Sequence, residues 1–386
     1  MLRVVTGRRP DLRAVLALLL FSVALFVGLR LFLAPPRFTD LKVYRAEGLA
    51  LRDGRDLYGP LPGVHGLTTY PPFAALIFVP ASFVPVSVLK VFAVVWNLLL
   101  LGLVSWQSCR LVGVAGRAAV LAGGVLAAVA LWCEPVFVTM SYGQINLLLL
   151  ALVLWDFTRA PTSRWRGVGV GIAAGIKVTP GVLIVYLLLT HRFRAAATAV
   201  GALLLTMGLS ASVDARATWR YWTDYLFDSH RVGRLENAVN QTVRGWLVRA
   251  DHTRETRPTE LLLVLLVAVV GLTIATVAYR TLGEEWGLPA AAITGLLCSP
   301  ISWSHHWVWC IPVVALLWFR ARWWLLPTVA IFWSFAVWWI PHKNSLELHL
   351  SRLQIAVSGW YVVFGLGFLA LAAVRAYRAR VAPVPI

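Results

Sequence analysis

Residues 168–190 read VGVGIAAGIKVTPGVLIVYLLLT, and the lone Lys177 in that run decides how the chain is laid out. The run is long and apolar enough to cross a ~30 Å hydrocarbon layer as one helix. It is preceded by Arg159, Arg164 and Arg166 and followed by His191, Arg192 and Arg194. A single crossing would put one basic cluster on each face of the membrane, against the cytoplasmic excess of Lys and Arg. Two short helices meeting at Lys177-Val178-Thr179-Pro180 return both clusters to the cytoplasm and leave Lys177 toward the outer side. Pro180 disfavours helical geometry at Thr179, which supplies the break.

The same logic extends along all 386 residues. Hydrophobic residues make up 59% of the chain and charged ones 13%, with mean hydropathy +0.75 and 19 Trp, well outside the range of a soluble domain. Repeated apolar runs predict an all-α polytopic membrane protein, and the alternation that a membrane barrel requires is absent. The first run, from about Ala14 to Leu33, follows Arg3, Arg8, Arg9 and Arg13. It is too long for a signal peptide and lacks a small-residue cleavage site, so it is expected to be a retained first helix. Further crossings are expected near 85–108, up to Glu134-Pro135, 144–155, 195–210, 261–279, 288–298, 306–319, 324–340 and 355–374. With the broken pair at Lys177, that gives about twelve crossings in a single domain, residues 1–386, with both termini cytoplasmic. No internal repeat is visible, which speaks against a transporter of the inverted-repeat kind.

The net charge of +18 is scattered in short clusters between apolar runs. It therefore serves topology and contact with anionic membrane lipids, not nucleic acid. Cys109, Cys133, Cys298 and Cys310 lack paired metal-ligand spacing and are expected in the core. The polar sequence gathers on the outer side, in 34–83, 134–146, 177–180, 212–258, 299–306 and 341–352. Elaborated loops on one face predict that the protein works there.

Those loops hold few residues fit for chemistry. Asp40 closes Pro35-Pro36-Arg37-Phe38-Thr39-Asp40, where a membrane helix gives way to water. It is either a helix N-cap or a general base. Tyr44 follows it, and Tyr70-Pro71-Pro72 makes a rigid, extended turn. Gln144 and Asn146 place two amides at a helix start, suited to capping or to sugar hydroxyls. Lys177 either snorkels or faces an anionic group. Asn240, Gln241 and Arg244 lie in the long loop. In the run from Ser299 to Trp307, His305 and His306 project differently, so they are candidates for steering a hydroxyl or a phosphate rather than for sharing a metal. Trp303 beside them is first of all an interfacial anchor. There is no Walker A sequence, Rossmann glycine fingerprint, HExxH or DxD pair. A cytosolic nucleotide sugar is thus a poor substrate, a lipid-borne donor at the outer face fits better, and the expected mechanism uses neither metal nor cofactor.

Taken in order, these motifs resemble those of the actinobacterial polyprenol-phosphate-mannose-dependent α-1,2-mannosyltransferases, glycosyltransferase family 87, which have the GT-C fold. The matching elements are Phe38-Thr39-Asp40 with Tyr44, Tyr70-Pro71-Pro72, Gly143-Gln144-Ile145-Asn146 and Gly175-Ile176-Lys177-Val178-Thr179-Pro180. They continue with Asn240-Gln241-Thr242-Val243-Arg244-Gly245 and with Ser299 through His306. Within the family the chain looks most like the phosphatidylinositol-mannoside mannosyltransferases of the mycobacterial envelope. The resemblance implies an inverting transfer from polyprenyl-phosphate-mannose to the 2-hydroxyl of a mannosylated lipid or glycan, at the outer face of the plasma membrane. It makes Asp40 the base, with His306, favoured narrowly over His305, assisting. Lys177 and Arg244, with His305, become candidates for the donor phosphate. Tyr44, Tyr70, Gln144, Asn146, Asn240, Gln241 and Trp303 become candidates for the substrates. The competing readings are an arabinosyltransferase using decaprenyl-phosphate arabinose, and a non-enzymatic flippase for lipid-linked sugars.

Overall fold

A computed structural model describes residues 11–64, 66–228, 231–255, 257–342 and 345–381. Arg3, Arg8 and Arg9, which the sequence uses to orient the first helix, lie outside the described residues. Among those described, the chain is helical throughout, with one isolated β-bridge between Asn240 and Trp303.

Five helices are long and apolar enough to cross a membrane: Leu12–Phe32, Val86–Leu111, Phe193–Val213, Pro258–Leu282 and Trp360–Val381. Gly116–Ala130 and Glu134–Tyr142, bent by 76°, form a sixth if taken as one span. Other apolar segments expected to cross are shorter helices, among them Asn146–Phe157 and Thr179–Leu189. The long helices are the outer ones: the apolar windows of four of them are only 17–28% buried. Asn146–Phe157 instead buries Leu147, Leu150 and Leu154 almost completely. A helix too short to reach both interfaces is tolerable only where neighbours shield its ends from lipid.

The break falls where Pro180 predicts it. Helix Val168–Ile176 stops, Lys177 is extended at φ −149° and ψ 127°, and a single 3₁₀ turn, Thr179–Gly181, precedes Val182–Leu189. The two basic clusters consequently meet. Arg166 and Arg192 both pair with Glu284, Arg166 at 3.1 Å, and Tyr186 donates to the same carboxylate at 2.7 Å. This cluster lies at the C-terminal end of helix Asn146–Phe157, so about 18 Å of helix separates it from Asn146.

At the Asn146 end, helix Thr39–Arg52 lies outside the long spans. It is held by a close approach at Gly143, which ends Glu134–Tyr142 at φ 68°. A Cβ there would stand 2.8 Å from the Leu41 Cβ and 3.3 Å from the Phe38 ring, so the position needs glycine for both conformation and space. The Phe38 N–H donates to the Ser141 carbonyl at 2.8 Å and completes the junction.

Candidate active site

Three side chains of helix Thr39–Arg52 share one face because they fall at i, i+4 and i+7: Asp40, Tyr44 and Glu47. Asp40 is not the N-cap. Phe38 holds that position at positive φ, without a side-chain cap. Asp40 is half-buried, and its Oδ2 accepts from the Thr39 hydroxyl at 3.2 Å. Burial pushes its carboxyl above the usual carboxylate range, and Thr39, the Lys177 charge and the Gln144 amide offset part of that rise.

Next to it the polar groups form one connected cluster. Tyr44 donates to Gln144 Oε1 at 2.6 Å, Tyr70 does so at 3.3 Å, and the two phenols are 3.2 Å apart. Lys177 Nζ is 3.4 Å from the Tyr70 hydroxyl, 3.4 Å from Asn146 Oδ1 and 2.7 Å from His306 Nε2. Asn146 Nδ2 donates to the His305 carbonyl at 2.9 Å, which fixes the histidine pair to the start of its helix. An ammonium donating to Nε2 assigns the His306 proton to Nδ1, and that atom is buried without a partner. His305 packs edge-on to His306 at 4.9 Å and to Tyr142 at 5.6 Å. The structure thus gathers Asp40, Tyr44, Tyr70, Gln144, Asn146, Lys177, His305 and His306.

Lys177 is buried, and no carboxylate lies within ion-pair distance of it among the described residues. An ammonium left with neutral acceptors is costly until an anion completes the site. From Lys177, Asn146 and His306 an apolar groove runs between helices, past Leu149, Val153, Leu183 and Leu296.

The side chains of three expected substrate contacts are engaged elsewhere. Asn240 and Gln241 are fully buried, and backbone groups consume their amides. Asn240 donates to the Leu235 carbonyl at 3.0 Å and accepts from the Ser302 N–H at 3.0 Å. Gln241 donates to Ala238 and Ser358 carbonyls at 2.6 and 2.7 Å and accepts from the Tyr361 N–H at 3.1 Å. These are clamps that hold the segment carrying the histidines. The Trp303 ring packs over Gly233, in a cluster with Leu235 and Val248. Arg244 stands half-buried on the first turn of helix Val243–Ala250, which follows the clamp directly. Gln241→Ala is expected to cost roughly 2–4 kcal/mol of stability, because the Ala238 carbonyl and the Tyr361 N–H lose this partner while the Ser358 carbonyl keeps only Arg249. Substrate KM values of the folded fraction should be unchanged; thermal unfolding and kinetics in detergent check both.

Two supporting carboxylates were not singled out as site residues by the sequence. Glu134 accepts from the Ser304 hydroxyl at 2.7 Å, Trp338 Nε1 at 2.6 Å and the Tyr361 hydroxyl at 2.7 Å, and so braces the turn just before His305. Glu47 is buried with Oε2 unpartnered. Burial, and then the Asp40 charge, push its pKa up to about 8. The fold therefore keeps Glu47 protonated where the unfolded chain ionises it. The unfolded state binds fewer protons between the ordinary value of 4.5 and about 8, so stability falls as pH rises through that window. Glu47→Gln should abolish this loss, gaining on the order of a few kcal/mol over the parent protein at pH 8 and nothing at pH 4, as read by thermal unfolding.

Residues 68–300 match the family described as Glycosyltransferase family 87. The polyprenol-phosphate-mannose-dependent alpha-(1-2)-phosphatidylinositol pentamannoside mannosyltransferase of Mycobacterium tuberculosis is 36% identical over 339 residues, covering 82% of this chain and 74% of its own. The polyprenol-phosphate-mannose-dependent alpha-(1-2)-phosphatidylinositol mannoside mannosyltransferase of the same species is 34% identical over 332 residues, covering 79% and 76%. A pentamannoside enzyme of Mycolicibacterium smegmatis is 35% identical over 301 residues, covering 72% and 69%. No solved structure matches. With a family match over more than half its length and relatives at this identity, the chain belongs to glycosyltransferase family 87.

Proposed function

We propose that this glycosyltransferase moves mannose from a polyprenyl-phosphate-mannose donor to the 2-hydroxyl of a mannosylated, phosphatidylinositol-type glycolipid, with inversion, at the outer face of an actinobacterial plasma membrane. The observation that carries this reading is the buried Lys177 ammonium, which has no carboxylate within ion-pair distance among the described residues, stands at the head of an apolar groove and lies within electrostatic reach of Asp40. A lipid phosphate supplies both things that place lacks: the anion and the apolar chain. The relatives' names carry the same donor and acceptor chemistry.

In this mechanism Asp40 takes the proton of the acceptor 2-hydroxyl as its oxygen attacks the anomeric carbon. The bond from that carbon to the phosphate oxygen breaks, and its electron pair leaves on the polyprenyl phosphate. A β-linked donor gives an α-linked product. Lys177, joined by Arg244 from the first turn of helix Val243–Ala250, meets the charge on the leaving phosphate, which needs electrostatic stabilisation but little protonation and no metal. His306 orients the reacting groups through its link to Lys177, and Tyr44, Tyr70, Gln144 and Asn146 face the sugars.

The test is product analysis by mass spectrometry with purified protein, defined mannosyl and arabinosyl donors, and a mannosylated glycolipid. A new α-1,2-linked mannose is expected. Preferential arabinose transfer would assign the other donor, and translocation of the donor without any new glycosidic bond would assign a flippase.

A further inference from the structure

A second pocket borders the same site, on the other side of the histidine pair. It measures about 310 Å³ and is lined by Arg30, Arg37, Phe137, Ser141, Tyr142 and Trp338, among others. Arg30 lies in the last turn of the first membrane helix, yet it does not behave as an arginine reaching for water. The residues after it, Leu31, Phe32 and Leu33, are 68–84% exposed, whereas Arg30 is 8% exposed and turned inward. Its guanidinium lies 4.6 Å over the Phe137 ring and donates to the Ser141 hydroxyl at 2.7 Å. A snorkelling arginine does the reverse, burying its stem and exposing its head. No carboxylate pairs with Arg30 or with Arg37 on the rim, among the described residues. Both guanidinium groups border an apolar-walled space: Arg30 is buried and spends a single hydrogen bond, and Arg37 stands exposed at the rim. That donor set matches a phosphodiester, whose two free oxygens accept from planar forks.

The location selects which phosphodiester. Lys177 contacts His306, His306 abuts His305, and His305 abuts Tyr142, which lines this pocket. Lys177 and the two arginines thus sit at opposite ends of that chain of contacts. In an inverting displacement the attacking hydroxyl and the leaving phosphate approach the anomeric carbon from opposite faces. Two membrane-anchored substrates then need two entrances. The Phe38 bond to Ser141 ties the pocket wall to the start of the helix that presents Asp40.

We propose that Arg30 and Arg37 bind the phosphodiester of a glycerophospholipid acceptor, anchoring it in the membrane while its sugar reaches Asp40. This rests on the mannosyl-transfer reading above. The test uses the purified full-length protein, the polyprenyl-phosphate-mannose donor and two acceptors: a phosphatidylinositol mannoside and an alkyl α-mannoside with no phosphate. Absence of transfer by the parent protein to either acceptor would sink the transfer reading itself. Given transfer, Arg30→Gln with Arg37→Gln is expected to raise KM for the phospholipid acceptor by about 10- to 100-fold. KM for the alkyl mannoside and for the donor should stay within about twofold, below the size of one lost charge-assisted bond. Equal losses with both acceptors, a raised donor KM, or no change with the phospholipid would overturn the assignment. Arg37→Gln alone, at an exposed position, and Arg30→Lys, which keeps the charge, carry the same comparison should the double variant not fold: the first is expected to show the acceptor-selective rise, the second a smaller one.

Discussion

Asp40→Asn is expected to reduce mannose transfer by roughly 10²–10⁴-fold, the range over which a positioned general base acts. Donor binding and expression should persist. The substitution keeps the shape and the hydrogen bond from Thr39 Oγ1, and removes only the ability to take a proton. Because burial holds the Asp40 carboxyl above its ordinary value, the active, ionised form is lost as pH falls through that raised value. The parent kcat/KM should therefore show an acid limb above the usual carboxylate range, and the residual activity of the Asn variant should lack it. Near-normal turnover by Asp40→Asn would remove Asp40 from the role of base. A retained acid limb in that variant would assign the titration to a neighbour, with Glu47 the first suspect.

Lys177→Met is expected to lower kcat/KM by roughly 10²–10³-fold, the cost of one preorganised donor to developing charge. The long apolar side chain fills the space that the lysine stem occupies. It should also relieve the burden of an unpaired buried ammonium, so the variant is expected to be at least as thermally stable as the parent protein. Falling activity with rising or level stability is the outcome that separates a phosphate-binding lysine from a structural one. A variant that unfolds while its folded fraction keeps full activity would place Lys177 in the scaffold. Because Nζ also fixes the proton of His306, part of the loss should appear in kcat and not in donor KM alone.

The broken helix at Lys177 shows how far local chemistry reaches. Pro180 restricts Thr179, the helix stops at Ile176, and the cations on either side of the run converge on Glu284, as the count of basic residues requires. The number of crossings was less legible. Hydropathy records that a segment avoids water, but burial among neighbouring helices satisfies that as well as lipid does. Asn146–Phe157 takes the first solution and Leu12–Phe32 the second.

The site divides along the same line. Asp40, Lys177 and the histidine pair were legible because charge and imidazole are scarce in this chain and cannot be buried idly. The placement of Asn240 and Gln241 was not legible, because an amide serves sugar hydroxyls and backbone groups equally well. Their partners, Ser302 and Ser358, stand 62 and 117 residues along the chain, and only folding brings them near. Glu134 gained its role in the same way, from Ser304, Trp338 and Tyr361. By itself the sequence determined the membrane, the helices, the break and the scarce reactive groups, because each follows from local composition and sterics. Tertiary structure alone decided which polar groups join the cluster around Lys177 and which clamp backbone segments, because that depends on partners distant in the chain.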